Sequence, residues 1–445
     1  MRTPICDFVN EYREKNAVRL HMPGHKGREH IGYESLDITE IVGADSLYEA
    51  DGIIKESEKN ASSLFGCETF YSTEGSSQCI RAMMYLITLY AREKGEKPTV
   101  LAARNCHKTF ISAAALLDIE VEWLFDGKSG YLSCDIDAKE IDAYLSKAEK
   151  KPTAIYLTSP DYLGKIADIE EIARVCKGRE VLLCVDNAHG AYLTFLEESL
   201  HPIDLGADIC CDSAHKTLPT LTGGAYLHIS DGAPSVFAEN ARDALALFGS
   251  TSPSYLILQS LDATNAYIAN GYEKKLACLA EKLSALKERL CKAGYSFYGD
   301  EVTKYTVECK KYGYFGYEIE KILRENDIIC EFFDSDYLVL MFTPEINDTE
   351  LEKLEKTLVS IPKRDEIETV APVFSIPKRA MSIREATMSH VESLPVEMCE
   401  GRILARLGVS CPPAVPIAVP GEVITKEIIE AFKYYGIENC AVIKK

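Results

Sequence analysis

Lys216 is the residue of this chain best placed for covalent chemistry. It stands in CDSAHKTLPTLTGGAYL (211–227), between the strand-like run ADICC and a turn rich in Thr and Gly. An amine held there is desolvated, which lowers its pKa and favours imine formation with a carbonyl. Ser213 and His215 flank it and could hydrogen-bond a phosphate. Taken alone, the segment reads equally well as an exposed lysine on a loop.

Three further segments carry chemistry-bearing residues. VLLCVDNAHGAYL (181–193) puts Asp186 at the carboxyl end of an apolar strand, where open α/β sheets bind ligands. A buried carboxylate there needs a cationic partner, such as a protonated ring nitrogen; the alternative is an Asp capping the next helix. His189 either lines the same pocket or satisfies backbone groups. In STEGSSQCI (72–80), Gly75 permits a tight turn, and Ser76 and Ser77 leave N–H groups at a helix N-terminus, which suits an anion or is a plain N-cap. In RNCHKTF (104–110), His107 lies between a strand and a helix, where it could stack on a flat ring or be a satisfied imidazole. All four segments sit at strand-to-helix junctions that one crevice could collect.

The elements that must position them follow from periodicity. Ile80, Met83, Met84 and Ile87 predict a helix face, TVLAA from Thr99 a strand, and Lys108 to Leu117 a helix. Strands are predicted at Val121 to Phe125 and Ala154 to Thr158, then a helix with Ile169, Ile172, Ala173 and Cys176 that stops at Gly178. VLLCV (181–185) is apolar on both faces, as a central parallel strand requires. The alternation predicts an α/β fold, a mostly parallel sheet sandwiched by helices. After about residue 270, a leucine-bearing helix from Leu276 to Leu290 and strands near Thr306 and at 337–342 predict a smaller α+β domain. The expected division is an arm (1–65), a large domain (66–270), a small domain (271–365) and a C-terminal segment (366–445).

Composition narrows the class. Across 445 residues, 47% are hydrophobic, enough for a large core, yet no run is long and apolar enough to span a membrane. The first residues lack the pattern of a secretory signal, so a cytoplasmic protein is expected. The sixteen cysteines are scattered without CxxC pairs, which favours reduced, mostly buried thiols over disulfides or zinc. With 49 basic and 69 acidic residues the net charge is −20; no basic patch suggests nucleic acid, and the acidity chiefly solvates the surface. No metal is expected.

Longer motifs now line up in order. HMPGHKGR (21–28), DITEIVGADSLYEADGII (37–54), STEGSSQ (72–78), NCHKTF (105–110), TSPDYLG (158–164), DNAHG (186–190), DSAHKTLPTLTGG (212–224), GSTSPSYLILQSLDA (249–263) and PPAVPIAVPGE (412–422) resemble the Orn/Lys/Arg decarboxylases. The likeness spans nearly the whole chain. It implies pyridoxal 5'-phosphate on an aspartate-aminotransferase-like fold, and decarboxylation of arginine, lysine or ornithine, as in polyamine biosynthesis. Lys216 would form the internal aldimine and Asp186 would pair with the pyridinium nitrogen. His107 would stack on one ring face with Ala188 against the other, and His189 would line the pocket. Gly75, Ser76, Ser77, Ser213 and His215 would hold the phosphate, and Ser159 would approach the ring hydroxyl. Glu422 would meet the basic end of the substrate. The family shares each site between two chains, which implies at least a homodimer, with the HMPGHKG arm and the GSTSPSY loop at the boundary.

Two positions depart from the family pattern, which has Asn at Glu74 and Glu at Asn187. An acid at 74 disfavours a phosphate unless it points away or is paired. The family's rivals are an aminotransferase or lyase on the same fold, which needs an arginine such as Arg379, Arg384, Arg402 or Arg406 for the α-carboxylate, and a degenerate member without catalysis.

Overall fold

The computed structural model describes residues 1–127, 130–369, 371–408 and 413–444, which form two compact units. One comprises residues 1–97, 153–155 and 169–275; the other comprises 98–152, 156–168 and 276–445. The units interleave along the chain, whereas the division into four consecutive segments remains a proposal.

The strands of the largest sheet are β1 (Glu68–Ser72), β2 (Thr99–Ala103), β3 (Glu120–Leu124), β4 (Ala154–Thr158), β5 (Leu182–Asp186), β6 (Ile209–Asp212) and β7 (Ala225–Ile229). Their order is β1-β7-β6-β5-β4-β2-β3. β2 runs parallel to β3, and β5 to β6, while β7 is antiparallel to both β6 and β1. The expected α/β class, a mostly parallel sheet flanked by helices, is what the chain adopts. All five residues of β5 are buried, as its unbroken apolar run demanded.

Register in the first unit decides where chemistry can happen. Asp186 lies beside Cys211, Asp212 beside Tyr226, and Ser72 beside Ala225. The carboxyl ends of β5, β6 and β1 therefore finish at one edge, and the segments following all three emerge there. After β1 the chain turns at Gly75 into an 18-residue helix, Ser76–Glu93, which buries Cys79, Ile80, Met83, Met84 and Ile87 on one face. The helix expected to stop at Gly178 runs to Arg179, because the left-handed turn falls on Glu180 (φ 56°).

In the second unit a four-stranded antiparallel sheet contains β8 (Phe297–Tyr298), β9 (Lys304–Glu308), β10 (Phe332–Phe333) and β11 (Tyr337–Met341), ordered β10-β11-β9-β8. Leu279, Leu283, Leu286 and Leu290 of the Tyr272–Lys292 helix form a core with Val307, Leu338 and Leu340. This is the helical repeat read from the leucines. Near the C-terminus, β12 (Val391–Pro395) pairs with β13 (Asn439–Ile443) over Ile428 and Phe432. No described helix is long and apolar enough to cross a membrane. No disulfide joins any described cysteine, and burial pushes the Cys79 and Cys176 thiols up to about 12, which keeps them protonated. Cys411 and Pro412, the first residue of the PPAVPIAVPGE motif, lie outside the described residues.

Candidate active site

The turn after β6 carries the lysine. Ser213 leads into a one-turn helix, Ala214–Thr217, in which the Lys216 N–H donates to Ser213 O at 3.0 Å. Lys216 is half-buried, and its Nζ lies 3.1 Å from Nε2 of His189 in the turn after β5. An ammonium can only donate to that imidazole nitrogen, so the contact favours a neutral ring at Nε2 and a route for a proton between the two groups.

The turn after β1 supplies a different chemistry. Gly75 has φ 71° and ψ 178°, a conformation essentially reserved for glycine, and its N–H donates to Gly223 O at 2.7 Å. That turn presents the N-terminus of the Ser76–Glu93 helix beside Ser213, whose hydroxyl lies 2.7 Å from that of Ser76. A Cβ on Gly75 would stand 4.0 Å from Cε1 of His215. Gly75, Ser76, Ser213 and His215 thus converge, with Ser77 on the next residue of the helix. His215 Nδ1 donates to Gly224 O at 3.0 Å, and burial, with help from the Lys216 charge, pushes its pKa below the ordinary value. Hydroxyls, helix N–H groups and an imidazole are the donor types that suit an anion.

Asp186 completes the set. Its side chain is 2% exposed, and Oδ1 accepts from the Ala188 N–H at 3.2 Å. Ala188 and His189 follow it in the same tight turn, closed by a 2.7 Å bond from the Gly190 N–H to Asn187 O. Both departures from the family pattern have a physical account. Asn187 donates from Nδ2 to Asp212 Oδ1 at 2.6 Å, whereas a Glu there would set carboxylate against carboxylate. Glu74 is exposed; Ser250 N–H donates to its Oε1 at 3.3 Å, and its charge acts on the Arg81 guanidinium. The acid is solvent-exposed, which lessens its effect on an anion nearby.

Nine of the residues picked from sequence therefore lie at one edge of the first unit: Gly75, Ser76, Ser77, Asp186, Ala188, His189, Ser213, His215 and Lys216. The other three belong to the second unit. His107 caps the Lys108–Leu117 helix, its Nδ1 accepting from Thr109 N–H at 3.2 Å. Ser159 is buried, and its Oγ accepts from Ala167 N–H at 3.1 Å. The Glu422 carboxylate meets Arg104 at 2.7 Å, both side chains nearly fully buried.

A phosphate-bearing aldehyde with a basic ring fits this donor set: donors suited to an anion, an amine beside an imidazole, and a buried carboxylate at the same edge of the sheet. Comparison with known proteins gives the family. The model of the Orn/Lys/Arg decarboxylase major domain matches residues 3–293, and that of the same family's C-terminal domain matches 369–439. The chain belongs to the Orn/Lys/Arg decarboxylase family. Among its relatives, an arginine decarboxylase of Halalkalibacterium halodurans is 30% identical, over 96% of this chain and 91% of that one. An arginine decarboxylase of Bacillus subtilis is 28% identical, over 96% and 92% respectively. Lysine decarboxylase A from Pseudomonas aeruginosa shares the fold, with a TM-score of 0.81 at 18% identity, covering 99% of this chain and 80% of the other.

Sequence reading missed a fully buried group behind the decarboxylase-family motifs. Asp212 Oδ2 lies 3.2 Å from Nε2 of both His201 and His228, and all three side chains are inaccessible. The DSAHK motif contains Asp212, but its partners come from a loop and from the middle of β7, so spacing carried no signal.

Proposed function

We propose that this member of the Orn/Lys/Arg decarboxylase family releases carbon dioxide from a basic amino acid with pyridoxal 5'-phosphate. The observation that carries the reading is the convergence of Lys216, Asp186 and the Gly75–Ser77 turn at one edge of one sheet. Gly75, Ser76, Ser77, Ser213 and His215 would hold the phosphate, Lys216 the aldehyde carbon, and Asp186 the ring nitrogen. When bound, the cofactor supplies an electron sink for the pair left by a broken Cα–carboxylate bond.

The chain's own residues have the following work. Asp186, buried at the end of β5, would face the basic nitrogen and as a carboxylate would favour a proton on it. The Ser76 N-terminus and the Ser213 and Ser76 hydroxyls would hold the anion and so orient the ring that carries it. Lys216 and His189, 3.1 Å apart, can pass a proton, so that Lys216 Nζ can deliver one to the substrate Cα and be reprotonated through His189 once that ring has taken a proton from water. Family motifs add His107 and Ala188 against the ring faces, Ser159 toward the ring hydroxyl, and Glu422 toward the substrate. These roles rest on motif position.

Arginine is the first substrate to test, since two relatives at 28% and 30% identity bear that name, with lysine and ornithine beside it. The product amine would belong to polyamine biosynthesis. A cytoplasmic homodimer is the proposed form. Val18, Leu20, Ile31 and Val42 of the N-terminal arm are apolar and largely exposed in the single chain, which supports burial against a second copy. Purified protein with added cofactor, assayed for carbon dioxide from each amino acid, tests the reading. Turnover of none of the three ends it, and colourless protein that ignores added cofactor ends the cofactor assignment with it.

A further inference from the structure

We infer that Asp212 is a positioning residue that ties the Asp186 turn to the Lys216 turn, through Asn187, and so sets the cofactor cradle. The inference rests on the cofactor reading above.

The geometry begins with Asp212 as the last residue of β6, directly before Ser213 and four residues before Lys216. Its Oδ1 accepts from Asn187 Nδ2 at 2.6 Å, and Asn187 directly follows Asp186. The Asn187 N–H also donates to Cys211 O at 3.0 Å, so side chain and backbone both pin the start of one turn to the end of the neighbouring strand. Space around Asn187 is tight: a Cβ on Gly190 would sit 2.0 Å from Asn187 Oδ1, so the turn closes only around a glycine. Ala188 and His189 lie between these two fixed points. Their placement therefore depends on where Asp212 holds Asn187.

Protons locate the charge. His228 Nε2 lies 3.2 Å from a carboxylate oxygen that can only accept, which assigns the ring proton to Nε2, and Thr69 Oγ1, 2.9 Å from Nδ1, can donate to that nitrogen. His201 Nδ1 is buried with no hydrogen-bond partner, which disfavours a proton on it and again assigns Nε2–H to the contact with Asp212. Asp212 thus accepts from two imidazole N–H groups and one amide. Despite complete burial, the two histidines hold its pKa far below the ordinary carboxylate value, so it stays ionised. The anion is fixed by three donors and cannot move to relieve itself.

His201, Cys210 and Asp212 offer donor atoms within 4.8 Å of one another, a spacing that a metal could also exploit. The Nε2 protons just assigned, and a Cys210 thiol pushed well up by burial, favour hydrogen bonds instead.

The test uses the full-length protein with Asn187→Ala, which cuts the tie but spares both histidines, and Asp212→Asn, which keeps the shape and removes the charge. Pyridoxal 5'-phosphate is titrated by absorbance, the bound chromophore is examined by circular dichroism, and cofactor-free protein is melted. Both variants should bind cofactor about tenfold or more weakly with an altered dichroic band, by analogy with residues that orient metal ligands. Asn187→Ala should melt as the parent does without cofactor. Asn187→Gln, which restores a donor amide, should recover part of the affinity. Parent-like affinity and dichroism in Asn187→Ala overturn the inference, as does a cofactor-free melting loss that accounts for the weaker binding. Should Asp212→Asn fail to fold, the two Asn187 variants still decide. One equivalent of zinc in the purified parent also overturns it. A parent that binds no cofactor instead overturns the functional reading, leaving this inference without an object.

Discussion

Lys216 Nζ and His189 Nε2 lie 3.1 Å apart, although their side chains come from turns after different strands. Parallel pairing of β5 with β6 makes that approach possible, since it brings the ends of both strands to the same edge. Lys216→Ala should purify without visible colour in the presence of pyridoxal 5'-phosphate and lack decarboxylase activity. His189→Phe keeps a ring but offers no nitrogen; it should retain colour while kcat falls about 10²- to 10³-fold, the usual size of a lost proton-transfer partner. A His189→Phe enzyme with parent kcat would remove the imidazole from the proton path.

Asp186 is buried, its Oδ1 accepting from the Ala188 N–H at 3.2 Å, and a buried carboxylate is costly unless a cation joins it. Asp186→Asn should lower kcat by about 10³-fold while leaving the cofactor attached, because the amide cannot hold a proton on a ring nitrogen. Absorbance checks attachment and carbon dioxide release checks rate. The same variant, cofactor-free, should be no less stable than the parent.

Gly75 combines φ 71° with ψ 178°, and a side chain there is strained by about 1–3 kcal/mol whatever space it finds. Gly75→Ala should therefore weaken pyridoxal 5'-phosphate binding by roughly ten- to a hundredfold, the equivalent of that strain. A binding titration decides. If free pyridoxal, which lacks the phosphate, is weakened equally, the strain acts on the fold rather than on the anion cradle.

Much of this was legible in sequence because the signals are local. β2, β4 and the Lys108–Leu117 helix match their expected limits, and Asp186 could be placed from the apolar run before it. The Gly75 turn was visible as a glycine before two serines and an apolar helix face. What stayed hidden depends on tertiary pairing. His201 and His228 stand 11 and 16 residues from Asp212, and only the β6–β7 hairpin register and the Leu193–Phe195 region's return path bring them to it. Arg104 and Glu422 are 318 residues apart, a distance at which residue type alone names no partner. The interleaving of the two compact units is equally invisible to a reading by consecutive segments.

Asp161 gives the fold a pH dependence of stated sign. Burial raises its carboxyl from 3.8 to about 6, against the opposing pull of the Ser133 hydroxyl, backbone N–H groups and Lys304. A folded value above the unfolded one means stability that is fully present below about pH 4 and lost as the pH rises through about 6. Burial likewise raises Asp334 to about 6, with the same sign. Melting temperature should fall between about pH 5 and pH 7.5, and Asp161→Asn should flatten the slope by an amount equivalent to about 1–3 kcal/mol. An unchanged slope would mean that Asp161 titrates normally.

Glu422 is the residue on which family position and local structure pull apart. Its carboxylate lies 2.7 Å from Arg104 Nη2 and also accepts from Val419 N–H at 2.8 Å, with both side chains nearly fully buried. Burial raises its pKa while the Arg104 charge lowers it. Breaking such a pair from one side strands the other charge, at a cost of about 3–5 kcal/mol. Glu422→Gln should therefore lower the melting temperature sharply, and so should Arg104→Met. The double variant Arg104→Met/Glu422→Leu leaves no charge behind and should recover much of the loss. A structural pair predicts this pattern with KM unchanged in whatever folded fraction remains. A Glu422→Gln protein that melts like the parent but shows a raised KM for its basic amino acid would instead assign the carboxylate to the substrate.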